Sequence, residues 1–187
     1  MTFMGKEIDA LFIIAQIIGF LASGFAIGAY QSKHRKNIIA MQTFSNSFWI
    51  IHYFMLGSIS AVVANAIGAV RNVIYGFRGK YKFADSKITP TIFILVFLAM
   101  GIVTYDSIID IIPTLAMIIA SIAFFIKDER IIRLMSLSLS ILWFVFSIFS
   151  ASVAGAVSEG LTMGSILIAI FRYRTIYLYE RRGEDPD

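Results

Sequence analysis

Residues 41–54 read MQTFSNSFWIIHYF, and residues 135–148 read MSLSLSILWFVFSI. The offset of 94 positions aligns Trp49 with Trp143, which are the two tryptophans of the chain. Both segments place polar or aromatic side chains at helical spacing, so that they share one helix face. These are Gln42, Asn46, Trp49 and Tyr53 in the first segment, and Ser136, Ser140, Trp143 and Ser147 in the second. We therefore expect two equivalent helices, each with a polar stripe that includes a tryptophan.

The same offset relates longer stretches of the chain on both sides of the tryptophans. It aligns Lys33 with Lys127, Ser58 with Ser152, and the pair Phe77-Arg78 with Phe171-Arg172. A match that persists over this length indicates an internal repeat. Each repeat is long enough for three helices.

The composition assigns these helices to a membrane. Of 187 residues, 58% are hydrophobic and 15% are charged, and the mean hydropathy is +0.81. Soluble domains carry roughly 25% charged residues. A soluble globular domain and a disordered chain are therefore excluded. The chain also has no cysteine, which excludes a disulfide scaffold, a thiol nucleophile and a cysteine-based metal site.

Seven stretches are long and apolar enough to be predicted as membrane-spanning helices. They run over residues 8–30, 37–56, 58–77, 88–105, 107–126, 131–149 and 152–171. Three helices reverse the direction of the chain, and the fourth restores it before the second repeat begins. The predicted fold is therefore an all-α, polytopic membrane protein with a 3+1+3 arrangement and two parallel three-helix-bundle repeats.

Basic residues predict the orientation, because they accumulate on the cytoplasmic side. Four segments that follow the first, third, fifth and seventh spans hold 14 of the 16 lysines and arginines. This places the N-terminus outside and the C-terminus in the cytoplasm. The predicted domains are residues 1–78 (first repeat), 79–106 (cytoplasmic loop and linker helix), 107–174 (second repeat) and 175–187 (cytoplasmic tail).

Polar side chains within the spans are the candidate binding residues, because such groups face the bundle interior or a water-filled cavity. The third span carries Asn65 and Asn72 on one face, and the equivalent span carries Glu159 and Thr162. A tryptophan can stack on a sugar or nucleoside ring, while an amide or acid can hydrogen-bond its hydroxyls. The predicted substrate-binding residues are Trp49, Asn65, Trp143, Glu159, Asn46, Asn72 and Thr162. Core packing and structural hydrogen bonds between helices are the alternative roles.

Two of the charged residues inside predicted spans are candidate functional groups. Glu159 is the one acid well inside a span, and we consider proton coupling and a neutral structural hydrogen bond as its roles. Arg71 is near the cytoplasmic end of the third span, and we expect it to snorkel to the interface, with contact to an anionic ligand as the alternative. Candidate hinge residues are Gly19, Pro113 and Gln31.

The 3+1+3 plan resembles that of the SWEET sugar transporters and the PQ-loop superfamily. In half-size members, each three-helix unit brings a tryptophan and an asparagine to the sugar, at a spacing similar to Trp49–Asn65. Gln31 matches the glutamine of the superfamily's Pro-Gln signature, whereas Tyr30 replaces the proline. The whole chain also resembles the YgjV family of bacterial inner-membrane proteins, on the run from Tyr30 through Trp49 to Gly76-Phe77-Arg78. These resemblances imply a multi-pass protein of the bacterial inner membrane.

The predicted function is transport of a small, uncharged, sugar- or nucleoside-like solute by alternating access between the two repeats. A non-transporting receptor or scaffold on the same fold is the alternative. An enzyme is not predicted, because the spans contain no paired carboxylates and no nucleophile beside a base. A seven-helix photoreceptor is excluded, because no lysine lies within a span. We expect no cofactor, metal or nucleic-acid partner. The expected partners are the lipid bilayer, an unidentified solute and a second copy of the chain.

Overall fold

The structure is a computed structural model that describes the backbone of residues 2–3 and 6–182 and the side chains of residues 8–173. Helices form nearly all of it. They are α1 (Ala10–Gln31), α2 (Arg35–Met55), α3 (Ile59–Gly76), α4 (Lys82–Asp85), α5 (Ile88–Val103), α6 (Ile111–Ala123), α7 (Glu129–Phe149) and α8 (Val153–Arg182). A 3-10 turn, Ile108–Asp110, leads into α6. Two short strands, β1 (Thr2–Phe3) and β2 (Lys6–Glu7), pair antiparallel.

A helix occupies each of the seven predicted segments, and the ends agree within a few residues at most positions. The short helix α4 lies in the loop that was predicted between the third and fourth spans. The last helix continues to Arg182, beyond the predicted end of the seventh span. Part of the predicted tail is therefore helical, while its final residues, 183–187, lie outside the described residues.

Four of the described helices are long and apolar enough to cross a membrane: Ala10–Gln31, Ile59–Gly76, Glu129–Phe149 and Val153–Tyr173. Two further apolar helices, Ile88–Val103 and Ile108–Ala123, are shorter than 18 residues. The helix α2 has 21 residues, but the polar side chains of its stripe lower its hydropathy. Of the seven predicted spans, four are thus helices that are both long and apolar enough to cross a membrane. The other three meet one of these two criteria, length for α2 and hydropathy for α5 and α6.

Matched turns end the second helix of each repeat. Gly57 and Ala151 are 94 residues apart, and both have a positive φ, of 72° and 55°. Glycine adopts this left-handed conformation freely, whereas alanine pays a steric cost of about 1 kcal/mol or more. The two halves thus share a turn geometry for which only the first half has the favoured residue.

The six helices of the two repeats contact one another in a closed circuit. The contacts run from α1 to α2, α3, α6, α7, α8 and back to α1, and α5 packs against α3 and α6. Under the offset of 94 residues, α1 is equivalent to α6 and α3 is equivalent to α8. The α1–α8 contact is therefore equivalent to the α6–α3 contact. The two junctions between the halves therefore involve equivalent helices, and a central space is enclosed between them.

Arginines join the halves at the end of the bundle that holds the basic loops, and two of them bind equivalent carbonyls. Arg35 donates from Nε to the carbonyl of Ile126 (3.1 Å) and from Nη2 to that of Phe124 (2.6 Å). Arg133 donates to the carbonyls of Tyr30 (3.3 Å) and Ser32 (2.7 Å). The acceptor pairs Tyr30/Ser32 and Phe124/Ile126 are related by the 94-residue offset. Each arginine thus caps carbonyls at the end of the first helix of the opposite repeat. The last carbonyls of a helix need such partners, because they have none within the helix.

Candidate solute-binding cavity

A cavity lies between the six helices of the repeats. Its volume is about 70 Å³, which is space for several water molecules, since one needs about 10–15 Å³. Its wall consists of Ala26, Tyr30, Gln42, Ser45, Asn46, Trp49, Tyr53, Asn65, Arg71, Met117, Ala120, Phe124, Leu139, Ser140, Trp143, Glu159 and Thr162. A solute much larger than a few waters would require the helices to move apart.

Equivalent residues of the two halves form most of this wall. Six pairs related by the 94-residue offset line the cavity: Ala26 and Ala120, Tyr30 and Phe124, Ser45 and Leu139, Asn46 and Ser140, Trp49 and Trp143, and Asn65 and Glu159. The repeat that is visible in the sequence is therefore also a repeat of cavity-lining positions. The two members of several pairs differ in polarity, so the cavity has two chemically distinct sides.

The polar stripe of α2 faces this cavity. All four of its members, Gln42, Asn46, Trp49 and Tyr53, are buried and line the wall. This explains why α2 is less apolar than its neighbours, since its polar groups face the interior and not lipid. The corresponding stripe of α7 contributes Ser140 and Trp143 to the wall; its other members, Ser136 and Ser147, are buried outside it.

The two tryptophans are separated by Tyr53. The ring of Tyr53 stacks on Trp49 at 5.5 Å between centroids and on Trp143 at 6.0 Å. Its hydroxyl is 3.2 Å from that of Ser147. Tyr53 was predicted on the stripe but not as a binding residue. The periodicity placed it on the correct face, whereas its position between the tryptophans depends on the packing of α2 against α7.

The predicted pair Asn65 and Glu159 lies in the same wall. Asn65 donates from Nδ2 to the carbonyl of Ala61 at 2.9 Å, and the hydroxyl of Ser140 interacts with the Glu159 carboxyl. The amide and the acid therefore stand at equivalent positions on α3 and α8. Both can present oxygen atoms to a ligand with hydroxyl or amino groups.

Of the remaining predicted binding residues, Asn46 and Thr162 line the cavity and Asn72 does not. The Thr162 side chain is 3% exposed, and its Oγ1 atom has no hydrogen-bond partner among the described residues. Asn72 instead accepts two hydrogen bonds through Oδ1 from Arg71, at 3.2 Å from Nε and 3.0 Å from Nη2. Asn72 therefore acts on the cavity through Arg71.

The expectation that Arg71 snorkels to the membrane interface was wrong. Its side chain is 1% exposed and lines the cavity. The reason is that polar groups of α6 lie within its reach on the interior side of α3. Arg71 donates to the carbonyl of Met117 (3.2 Å) and to the hydroxyl of Ser121 (3.4 Å). The sequence did contain a signal for this inward position, since Arg71 lies on the same helix as the polar residues Asn65 and Asn72.

The candidate hinge residues lie at helix ends or at close contacts between helices. Pro113 lies in the first turn of α6, where its missing N–H costs no helical hydrogen bond. Gly19 packs closely, since an added Cβ would be 2.8 Å from His52 Nδ1. Gln31 ends α1 and donates to the Ser165 carbonyl at 2.9 Å and to its hydroxyl at 2.7 Å. Their role as hinges stays a prediction.

Comparison with curated proteins and with solved structures gives no match. The model of the Imp-YgjV family, described as a bacterial inner membrane protein, matches residues 13–176. This match contains the two segments related by the repeat, α5, and all or most of each of the six helices around the cavity. The chain therefore belongs to the Imp-YgjV family of bacterial inner membrane proteins.

Proposed function

We propose that the protein is a transporter of a small solute and that it works by alternating access between its two three-helix repeats. In this proposal seven helices span the inner membrane in a 3+1+3 arrangement, as in the SWEET and PQ-loop superfamily that the sequence resembles. The N-terminus is outside and the C-terminus is cytoplasmic. The protein is not an enzyme, and its partners are the lipid bilayer and the solute, with a second copy of the chain as an oligomeric partner.

The observation that carries this proposal is the composition of the cavity wall, which contains six pairs of equivalent residues from the two repeats. Transporters with internal repeats hold their substrate between the repeats near the middle of the membrane. A site shared by two similar units can open to either side when one unit rocks against the other. The two arginine contacts at the basic end, from Arg35 and Arg133, would close the cavity towards the cytoplasm in this conformation.

The residues of the wall support a ring-shaped substrate with polar substituents. Trp49 and Trp143 provide flat apolar surfaces for stacking, although Tyr53 now lies between them. Asn65 and Glu159 provide hydrogen-bonding groups on the two sides of the cavity. In this mechanism the solute displaces Tyr53 from the gap between the tryptophans as the halves move apart. Glu159 would bind a proton in one orientation and release it in the other.

The absence of cysteine from the sequence makes single-cysteine labelling a direct test of the topology. Asp106 and Lys80 are exposed at opposite ends of the bundle. We expect a membrane-impermeant maleimide to label Asp106→Cys in intact cells, and to label Lys80→Cys only after the membrane is permeabilised. The reverse pattern would contradict the proposed orientation.

Alternating access is tested at the equivalent pair Ala26 and Ala120, since both line the cavity. Each Ala→Cys variant should react with the maleimide from either side of the membrane. Ile17→Cys is the control, because Ile17 is 56% exposed on the outer surface of α1 and would face lipid. Labelling of both cavity positions from one side alone would argue for a receptor or scaffold.

Transport itself is tested by flux into proteoliposomes. A mixture of labelled sugars, nucleosides and small metabolites is presented to liposomes with and without the protein. We expect saturable uptake of at least one solute, and a loss of at least tenfold in Trp49→Ala. Binding of a solute without flux would support the receptor and would contradict the transporter.

A further inference from the structure

Arg71 is a charged side chain in the wall of an intramembrane cavity. It is 1% exposed, so bulk water and lipid headgroups at the interface barely contact its charge. Charged side chains inside a membrane protein are costly, and they usually pair with an opposite charge or mark a substrate pathway. The groups that contact Arg71 therefore decide between a structural ion pair and a role in binding a substrate.

Only neutral groups contact the Arg71 guanidinium in the described part of the chain. Its hydrogen bonds go to Asn72 Oδ1, the Met117 carbonyl and the Ser121 hydroxyl. The rings of Phe97 and Phe124 lie 5.7 and 5.2 Å from its central carbon. No carboxylate of residues 8–173 lies within 4.0 Å of the Arg71 guanidinium. The ion pair formed among those residues joins Arg78 to Asp85 instead. Its positive charge is thus held in place without an ion pair among the described residues.

Another polar group of the same cavity has no hydrogen-bond partner among the described residues. The Oγ1 atom of Thr162 is buried in the wall and makes no hydrogen bond among the described residues. A buried hydroxyl without a partner is destabilising, because it has lost its hydrogen bonds to water. A fixed positive charge and an unsatisfied hydroxyl in one cavity together form a site for a group that accepts hydrogen bonds and carries negative charge.

We infer that the solute carries an anionic group, a carboxylate or a phosphate, which binds to Arg71 in the central cavity. The inference rests on the proposed function, since it names the substrate class of that site, and it replaces the uncharged solute that the sequence predicted. Arginine suits the role because its planar guanidinium binds both anions through paired hydrogen bonds. Asn72 positions the guanidinium, and the two phenylalanine rings keep it fixed.

The inference is tested by binding, with the fluorescence of Trp49 and Trp143 as the signal, because both tryptophans line the cavity. The probes are matched sets that differ in charge: glucose with glucuronate and glucose 6-phosphate, and adenosine with adenosine monophosphate. We expect an anionic member to change the fluorescence saturably and to bind at least tenfold more tightly than its neutral counterpart. The carboxylate and phosphate members distinguish the two anions.

Three variants then assign the effect to the guanidinium. Arg71→Gln should weaken binding of the anionic probe by about 10- to 100-fold. Arg71→Lys keeps the charge but loses the paired hydrogen bonds, so its affinity for the anionic probe should lie between those of the wild type and Arg71→Gln. Arg130→Gln removes the same charge from an exposed position and should bind like wild type. All are compared as monodisperse protein, so that misfolding is not mistaken for loss of the site.

Equal binding of neutral and anionic probes, unchanged binding in monodisperse Arg71→Gln, or no response to any anionic probe would each overturn the inference. Flux measurements separate this outcome from a failure of the proposed function. Arg71-dependent binding of an anion that does not cross the membrane would contradict transport alone. Uptake of a neutral solute, unaffected by Arg71→Gln, would contradict the anionic substrate alone.

Discussion

Tyr53 and Ser147 are 94 residues apart, at equivalent positions of the two repeats, and their hydroxyl oxygens lie 3.2 Å from each other. Equivalent groups can meet in this way only where the two halves face each other across their common centre. The contact joins α2 to α7 beside the tryptophans of both halves. It therefore places the aromatic part of the cavity at the boundary between the repeats.

The first prediction concerns this contact. Tyr53→Phe and Ser147→Ala each remove one hydroxyl, and each should lower the free energy of unfolding by about 0.5–1.5 kcal/mol. The double variant should cost less than the sum of the two, because both single variants break the same hydrogen bond. Thermal or denaturant unfolding in detergent measures these values. Strictly additive losses would show that the hydroxyls do not interact.

The second prediction compares the matched turns at Gly57 and Ala151. Ala151→Gly should raise the free energy of unfolding by about 0.5–1 kcal/mol, because glycine adopts the positive φ of 55° without strain. Gly57→Ala should lower it by about 1 kcal/mol for the same reason. The space around Gly57 is open to an added Cβ, so that a packing clash does not contribute. Effects of the same sign at both positions would contradict the equivalence of the turns.

The third prediction concerns the arginine contacts between the halves. Arg35→Gln loses hydrogen bonds to the carbonyls of Phe124 and Ile126 and should lower the free energy of unfolding by about 2–3 kcal/mol. The exposed Arg130→Gln should change it by less than about 0.5 kcal/mol. Unfolding of both variants under identical detergent conditions provides the comparison. Similar stabilities would mean that Arg35 is not needed to hold the repeats together.

The fourth prediction concerns the loop between α3 and α5. The backbone N–H of Gly79, which donates to Asp85 at 2.8 Å, and the Arg78 guanidinium together lower the pKa of the Asp85 carboxyl below its usual range. A lowered pKa in the folded state means that ionised Asp85 stabilises the loop above the unfolded pKa of about 3.9. This stabilisation is lost as the pH falls through the lower, folded pKa.

Asp85→Asn should therefore remove this part of the pH dependence. We expect amide exchange at Gly79 in wild type to accelerate as the pH falls below about 4, relative to the intrinsic rate. In Asp85→Asn the protection should be weaker at neutral pH and nearly constant with pH. Identical protection profiles in the two proteins would refute the role of the carboxylate.

The fifth prediction concerns Glu159 and rests on the proposed transport. If Glu159 carries the coupled proton, Glu159→Gln should keep solute exchange but lose accumulation driven by a pH gradient. Asn65→Ala, at the equivalent position, should reduce uptake by a similar factor at every pH, because it affects binding alone. Proteoliposome uptake between pH 5.5 and 8 separates the two. An unchanged pH profile in Glu159→Gln would leave it with a structural role.

The parts of the molecule that could be predicted depend on local patterns. Helix positions follow from runs of apolar residues, and the polar face of α2 follows from the spacing of Gln42, Asn46 and Trp49. The equivalence of Asn65 and Glu159 follows from the repeat. The structure brings these residues together around one cavity, with Thr162 beside them.

The positions of Arg71 and Asn72 could not be predicted in the same way. The sequence gives the distance of Arg71 from the helix end, which is compatible with snorkelling, but not the separation of α3 from α6. The partners of Arg71 on α6, the Met117 carbonyl and the Ser121 hydroxyl, are 46 and 50 positions later in the chain. Asn72 shares the predicted face, but the same packing turns it towards Arg71 and away from the cavity.

By itself, the sequence determined a helical membrane protein with an internal repeat and a tryptophan-bearing polar stripe in each half, because hydropathy and helical periodicity are properties of neighbouring residues. The tertiary structure decided which polar groups share a cavity and that Tyr53 separates the tryptophans. It decided as well that Arg71 faces inward, with no carboxylate of residues 8–173 beside it. It also decided that Arg35 and Arg133 bind the opposite repeat. These features depend on how closely helices distant in the chain approach one another, and side-chain volume at their crossings, not local pattern, sets that distance.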